Sequence, residues 1–326
     1  MRKLATIFAS LVMLSLVIGT IGCAGETATT PTPSPSPSPI ESPNIWIDAH
    51  AHLNPYLCSD SLCGIDLLVK SMNAAGVKRI VLFAKPGVSD SADVLEAYQK
   101  YPDFIIPCRG SDGLDLNDPT TLNLIRKDLD TGLFKAIGEI VTRHGFYGIN
   151  IPADHPVMIE LFKLGHEYGI PVIIHMGTRP LDEDQTDIPA EWLAEFERAL
   201  EQCPSTTFIW AHSGPSCPDV LKGMLDKYPN LYADISALNP VFWEMQGREV
   251  PSELLINRTE WIDLLGEYSD RFLFGTDVHF IEGYGDISSL LSYVRDDVFP
   301  MLPSDAVEAI AHGNGERLFG ISNPIK

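Results

Sequence analysis

From Asn44 onward, short runs of β-branched and aromatic residues alternate with longer segments in which apolar side chains recur at helical spacing. The short runs are Ile45–His50, Arg79–Ala84, Phe104–Pro107, Phe134–Glu139, Pro171–His175, Thr207–His212, Leu231–Ile235 and Arg271–Gly275. Their length and bulk suit strands covered on both faces. Between them, Val157, Leu161 and Leu164 would line one face of a helix that Asp154 caps, Pro156 opens and Gly169 stops. Eight strand–helix units in series, with no break in composition, predict one α/β domain over residues 44–326 with the (β/α)8 TIM-barrel fold. An open doubly wound sheet, the alternative, would place a glycine-rich phosphate loop after its first strand. Neither G-x-G-x-x-G nor a Walker-type loop follows His50.

Composition agrees with one large core: 45% of the 326 residues are hydrophobic, which excludes disorder of the whole chain. Acidic side chains number 44 against 23 basic ones, a formal net charge of −21. Nucleic acid is therefore an unsuitable partner, because phosphate binding needs clustered Lys and Arg.

The first 43 residues have a different character. Arg2 and Lys3 precede an uncharged stretch, Leu4–Gly22, that ends at Cys23, the layout of a secretory signal over residues 1–22. Thr20-Ile-Gly-Cys23 resembles a lipoprotein signal, whose Cys becomes the lipidated first residue of the mature chain. An ordinary cleaved signal or an uncleaved anchor are the alternatives, and all three place the barrel outside the cytoplasm. Residues 23–43 include the Pro/Ser/Thr repeat Pro31–Pro39, which favours extended polyproline II and predicts a spacer between membrane and domain. Cys58 and Cys63, close together in an early loop, would suit a disulfide in an oxidising compartment, with two unpaired thiols as the alternative.

In barrels of this kind chemistry collects at the C-terminal ends of the strands. The expected ends carry His50, His52, Glu139, His175 and His212, with Asp277 just past the last. These side-chain types bind zinc, manganese or iron. His50 and His52 share one face of a strand, about 6.6–7 Å apart along it, so both imidazoles can lean toward one ion. A lone histidine at a strand end is ordinarily a hydrogen-bonded structural residue; six metal-ligating side chains at the ends of five strands make a pattern. His155, His166 and His312 fall on helices, where surface or packing roles suit them better.

Asp48-Ala-His50-Ala-His52, Ile-Ile-His175, Trp-Ala-His212-Ser-Gly214 and Phe-Gly-Thr-Asp277 resemble the motifs of the amidohydrolase superfamily of metal-dependent hydrolases. The tail His312-Gly-Asn-Gly-Glu-Arg-Leu-Phe319 resembles the closing helix of its amidohydrolase-related (amidohydrolase 2) branch, and the likeness spans nearly all of residues 45–321. The resemblance implies that His50 and His52 bind a divalent metal, that His175 contributes from the fifth strand, and that Asp277 contacts the activated water. Lys-Ala-Ile-Gly-Glu139 is similar to the fourth-strand motif of two-metal members, in which the carboxylate bridges the ions. His50, His52 and Asp277 would then serve one ion, and His175 with His212 the other. In single-metal members, decarboxylases among them, His212 would be a free general acid or base, and Glu139 would stand outside the ligand set beside Arg143.

Arg143, His144, Arg179 and His279 follow expected strands and suit the mouth of a pocket, where an arginine fork would hold a carboxylate or phosphate. The sequence thus points to an exported, membrane-tethered hydrolase with one or two divalent ions, zinc first among them, cleaving an amide, ester, lactone or related bond of a small molecule. Asp277 and His212 are its candidate catalytic residues. The alternatives are a single-metal decarboxylase or hydratase and a non-catalytic metal- or ligand-binding lipoprotein, which would have no use for Asp277.

Overall fold

The structure, a computed structural model, describes residues 43, 45–55, 63–144, 148–176, 188–213, 217–251, 254 and 258–321. The signal, Cys23, the proline-rich spacer and the Cys58–Cys63 pairing lie outside the described residues or side chains. Among the described residues no helix is long and apolar enough to cross a membrane.

The strands are β1 Trp46–Leu53, β2 Val77–Ala84, β3 Ile105–Arg109, β4 Ala136–His144, β5 Ile149–Asn150, β6 Val172–Met176, β7 Phe208–Trp210, β8 Leu231–Asp234 and β9 Phe272–Leu273. Eight of them run parallel in the order β1-β2-β3-β4-β6-β7-β8-β9, while β5 forms a short antiparallel hairpin on β4. The segment after β9 returns to β1: Ala49 N–H donates to Phe274 O (2.8 Å), Asp277 N–H to His50 O (2.7 Å) and His52 N–H to Val278 O (3.0 Å). This is the expected TIM barrel. Helices α1 Cys63–Ala74, α2 Ser91–Lys100, α3 Leu122–Leu129, α4 Pro156–Tyr168, α5 Ala190–Gln202 and α6 Pro218–Lys227 alternate with the strands.

Strands enclosed in this way bury both faces, and the apolar positions divide accordingly. Ile47, Ala49, Val81, Phe83, Ile106, Ile173, Ile209 and Leu273 form one cluster with Phe319 from the C-terminal segment. Leu82, Ile105, Ile137, Val172, Phe208 and Leu231 join a larger cluster with helix residues such as Leu68, Phe162 and Phe196. Helix α4 opens at Pro156 and ends on left-handed Gly169 (φ 65°), as expected, but its cap is His155, which accepts from Val157 N–H. Asp154 instead pairs with Arg198 at 2.7 Å.

Two irregularities of register aim the site. Between Asp48 and Ala51 the β1–β2 pairing shifts, and the rings of His50 and His52 then lie against Phe83, at 4.8 and 5.6 Å between centroids. Between Ile137 and Ile140 the β4–β6 pairing shifts at Gly138. A Cβ there would stand 2.8 Å from Ile173 Cβ and 2.9 Å from Ile173 O, and φ is +152°, so only glycine lets β4 approach β6 and present Glu139.

Candidate metal centre

His50, His52 and His212 each have one ring nitrogen tied back to the scaffold, which fixes the other. His50 Nδ1 lies 2.9 Å from Asp234 Oδ2, and His52 Nδ1 lies 3.3 Å from Ala84 O. Both acceptors require Nδ1–H, so in the neutral rings both Nε2 atoms, 3.2 Å from one another, carry lone pairs into the cleft. Asp277 Oδ1 sits 3.2 Å from His52 Nε2 and 3.6 Å from His50 Nε2. Glu139 Oε2 completes this group 3.4 Å from His52 Nε2.

The second group gathers around the other oxygen of the same carboxylate. Glu139 Oε1 is 2.9 Å from His175 Nδ1 and 3.2 Å from His212 Nε2, and those two nitrogens are 3.1 Å apart. Ligands bound at 2.0–2.1 Å to one tetrahedral ion stand about 3.3 Å from each other. Imidazole lone pairs and carboxylate oxygens crowded at such spacings repel unless a proton or a cation lies among them. The donor set therefore fits divalent metal: His50, His52 and Asp277 form one group, Glu139, His175 and His212 the other, with ligand atoms within 4.8 Å of one another in each.

Electrostatics lead to the same conclusion. Burial alone would neutralise these groups, yet the charges of His175 and His50 hold Glu139 well below the usual carboxylate range, and His212 and His279 do the same for Asp277. Burial also opposes the protonated form of His50, but Asp234 and Glu139 outweigh it and raise its pKa to about 10. Without metal, protons on imidazoles supply the positive charge that buried carboxylates demand. Divalent ions would replace those protons.

Two residues here have positive φ although neither is glycine: His212 at 66° and Asp277 at 49°. Such backbone costs on the order of 1–3 kcal/mol and persists where surrounding bonds hold it. Asp234 Oδ1 accepts from His212 N–H at 3.1 Å. Asp48 accepts from Thr276 N–H (3.0 Å) and Thr276 Oγ–H (2.6 Å), as well as from His50 N–H (2.9 Å), and so joins the two ends of the barrel next to the site. Burial pushes the Asp48 carboxyl up to about 7 against those hydrogen bonds.

The cleft above the donors, of about 80 Å³, is lined by His52, Lys85, Glu139, His144, His175, His212, Asp277 and His279 among others. His144 stacks on His175 (5.1 Å, 23°), and burial draws its pKa down to about 4. His279 Nδ1–H donates to Asp277 O at 2.7 Å. Arg143 does not reach the mouth and does not neutralise Glu139. The register shifts again between Val141 and Arg143, and its guanidinium pairs with Glu195 of α5 (2.5 Å) and lies over Trp192 (5.2 Å). Arg179 lies outside the described residues. Asp234, Ser236 and Lys85 are site residues that the sequence reading passed over. Asp234 ends an apolar strand, as the ligands do, and Lys85 directly follows one, so both carried a signal.

The fold and site together define a TIM barrel with a candidate His/carboxylate metal centre at its strand ends. The Amidohydrolase family model (Amidohydro_2) matches residues 47–321, and the chain belongs to that family. No curated protein matches it. Among solved structures it resembles an uncharacterised TIM-barrel protein from Bordetella bronchiseptica (TM-score 0.61, 18% identity, 85% of this chain and 98% of that one). It is also similar to 2,6-dihydroxybenzoate decarboxylase from Rhizobium (0.53, 18%, 86% and 99%). Organophosphorus hydrolase from Deinococcus radiodurans shares the fold too (0.53, 15%, 85% and 92%).

Proposed function

We propose that the protein is an exported, membrane-tethered metal-dependent hydrolase that cleaves an amide, ester, lactone or related bond in a small molecule. One observation carries the choice of hydrolysis: Glu139 lies between the two ligand groups, with Oε2 3.4 Å from His52 Nε2 and Oε1 2.9 and 3.2 Å from His175 and His212 and farther, 3.8 Å, from His50 Nε2. Such a placement supports the reading of Glu139 as a carboxylate shared by two ions. When bound, a pair of divalent ions, zinc first among them, acidifies water and polarises a carbonyl or phosphoryl oxygen.

The chain's own residues do the rest. His50, His52 and Asp277 would hold one ion, and His175 and His212 the other, with Glu139 available to both. Asp277, kept ionised at the cleft, takes a proton from water and passes it to the leaving group. His212, a candidate acid or base in the sequence, serves here as a ligand through Nε2, because Ser236 Oγ occupies its Nδ1 at 2.9 Å. Lys85 offers its ammonium to an anionic part of the substrate. Export rests on the order of basic start, uncharged stretch and Cys23 in residues 1–23.

A panel of amides, esters, lactones and aromatic acids, assayed with zinc- and manganese-loaded enzyme, tests the reaction class. Hydrolysis that disappears in Asp277→Asn supports the proposal. Carbon dioxide release from an acid, with no hydrolysis across the panel, overturns it in favour of a decarboxylase.

A further inference from the structure

Asp234 closes β8 with its side chain fully buried, and a single carboxylate there serves both ligand groups. Its Oδ2 accepts Nδ1–H of His50 at 2.9 Å. Its Oδ1 accepts three bonds from the other side: His212 N–H at 3.1 Å, Ser236 N–H at 3.0 Å and Ser236 Oγ–H at 2.5 Å. Because the Ser236 hydroxyl gives its proton to Asp234, its oxygen is left to accept Nδ1–H of His212, 2.9 Å away. The chain His50–Asp234–Ser236–His212 therefore links one imidazole of each group, independently of Glu139. The two rings lie 4.6 Å apart.

From this arrangement we infer that Asp234 and Ser236 couple the two metal sites, so that filling one tightens binding at the other. The inference rests on the two-metal reading above and extends it. A cation at His50 Nε2 would pin the ring, which a proton leaves free to shift, and so hold its Nδ1–H on Asp234 Oδ2 and fix the rotation of that carboxylate. With that rotation fixed, Oδ1 holds the left-handed His212 backbone and the Ser236 hydroxyl in place, and His212 Nε2 stays aimed at Glu139. The ordering needed for the second ion is then already present when that ion arrives, which is positive coupling. By linkage the effect is the same whichever ion binds first. Asp234 and Ser236 are positioning residues in this scheme, since each acts through a histidine.

The test is a titration of the metal-stripped full chain with manganese, followed by calorimetry and by electron paramagnetic resonance. For the native chain the expected result is two ions per chain, a Hill slope above one, and a spin-coupled pair signal already present at half loading. Ser236→Ala cuts the link to His212 and leaves the His50–Asp234 bond. It should still bind two ions, with a slope near one, an uncoupled manganese signal at half loading, and a second ion weakened about tenfold or more. Ser236→Thr, which keeps the hydroxyl, should restore the native slope. Asp234→Asn has one oxygen in place of two and should lose the coupling likewise; melting curves separate that loss from a folding defect. A native slope and coupled signal in Ser236→Ala, or two independent ions in the native chain, overturns the coupling and leaves the two-metal reading intact. One ion in the native chain overturns the two-metal reading itself.

Discussion

His50 Nε2 and His52 Nε2 face each other at 3.2 Å, each with its Nδ1 tied to the scaffold. Two imidazoles held this way need a positive charge between or beside them. Without metal that charge is a proton on His50, whose pKa burial would lower but Asp234 and Glu139 raise from 6.5 to about 10. A group with a raised pKa stabilises the fold fully below its unfolded value of 6.5, and the contribution disappears as pH climbs through about 10. Metal-stripped protein should therefore lose melting temperature by several degrees between about pH 7 and about pH 9. Loaded protein should lack this component, since its His50 Nε2 holds no proton. Parallel calorimetric scans check this, and equal losses in both forms would contradict it.

Asp277 is held at φ 49°, and its Oδ1 lies 3.2 Å from His52 Nε2. Asp277→Asn keeps the shape and removes the base. Turnover should fall about 100- to 10,000-fold with little change in KM. A variant of near-native kcat would remove Asp277 from the mechanism.

Lys85 stands half-buried on the cleft wall, its Nζ donating to His279 O at 3.1 Å. Burial lowers its pKa while Asp277 works to keep the charge. If it holds an anionic part of the substrate, Lys85→Met should raise KM about 10- to 100-fold, the worth of one charge-assisted hydrogen bond, and alter kcat less. An unchanged KM for every acidic substrate would restrict Lys85 to anchoring the His279 loop.

Much of this was legible in the residues, for one physical reason. Strands covered on both faces are continuous apolar runs, and the polar residue that ends a run marks the rim where ligands converge. That rule picks out Glu139, His175 and His212, and it applies equally to Asp234, whose orientation toward His50 Nδ1 comes only from the fold. Arg143 was misplaced because the register shift between Val141 and Arg143 changes its face, and strict alternation takes no account of a bulge. The cap of α4 fell to His155 where Asp154 was expected, since Asp154 is drawn off by Arg198.

The N-terminal segment makes a separate claim. If Cys23 is the lipidated residue, the native chain should partition with membranes and label with a palmitate analogue. Cys23→Ser should do neither while retaining turnover. Membrane partition unchanged in Cys23→Ser would favour an uncleaved anchor.

Glu139 decides the account. The measurement is metal content by element-resolving mass spectrometry on the full chain, purified without chelator and reconstituted with zinc or manganese, beside Glu139→Gln. Two ions in the native chain and no more than one in Glu139→Gln is the predicted result. One ion in the native chain, unchanged in Glu139→Gln, would contradict the shared carboxylate and the hydrolase built on it.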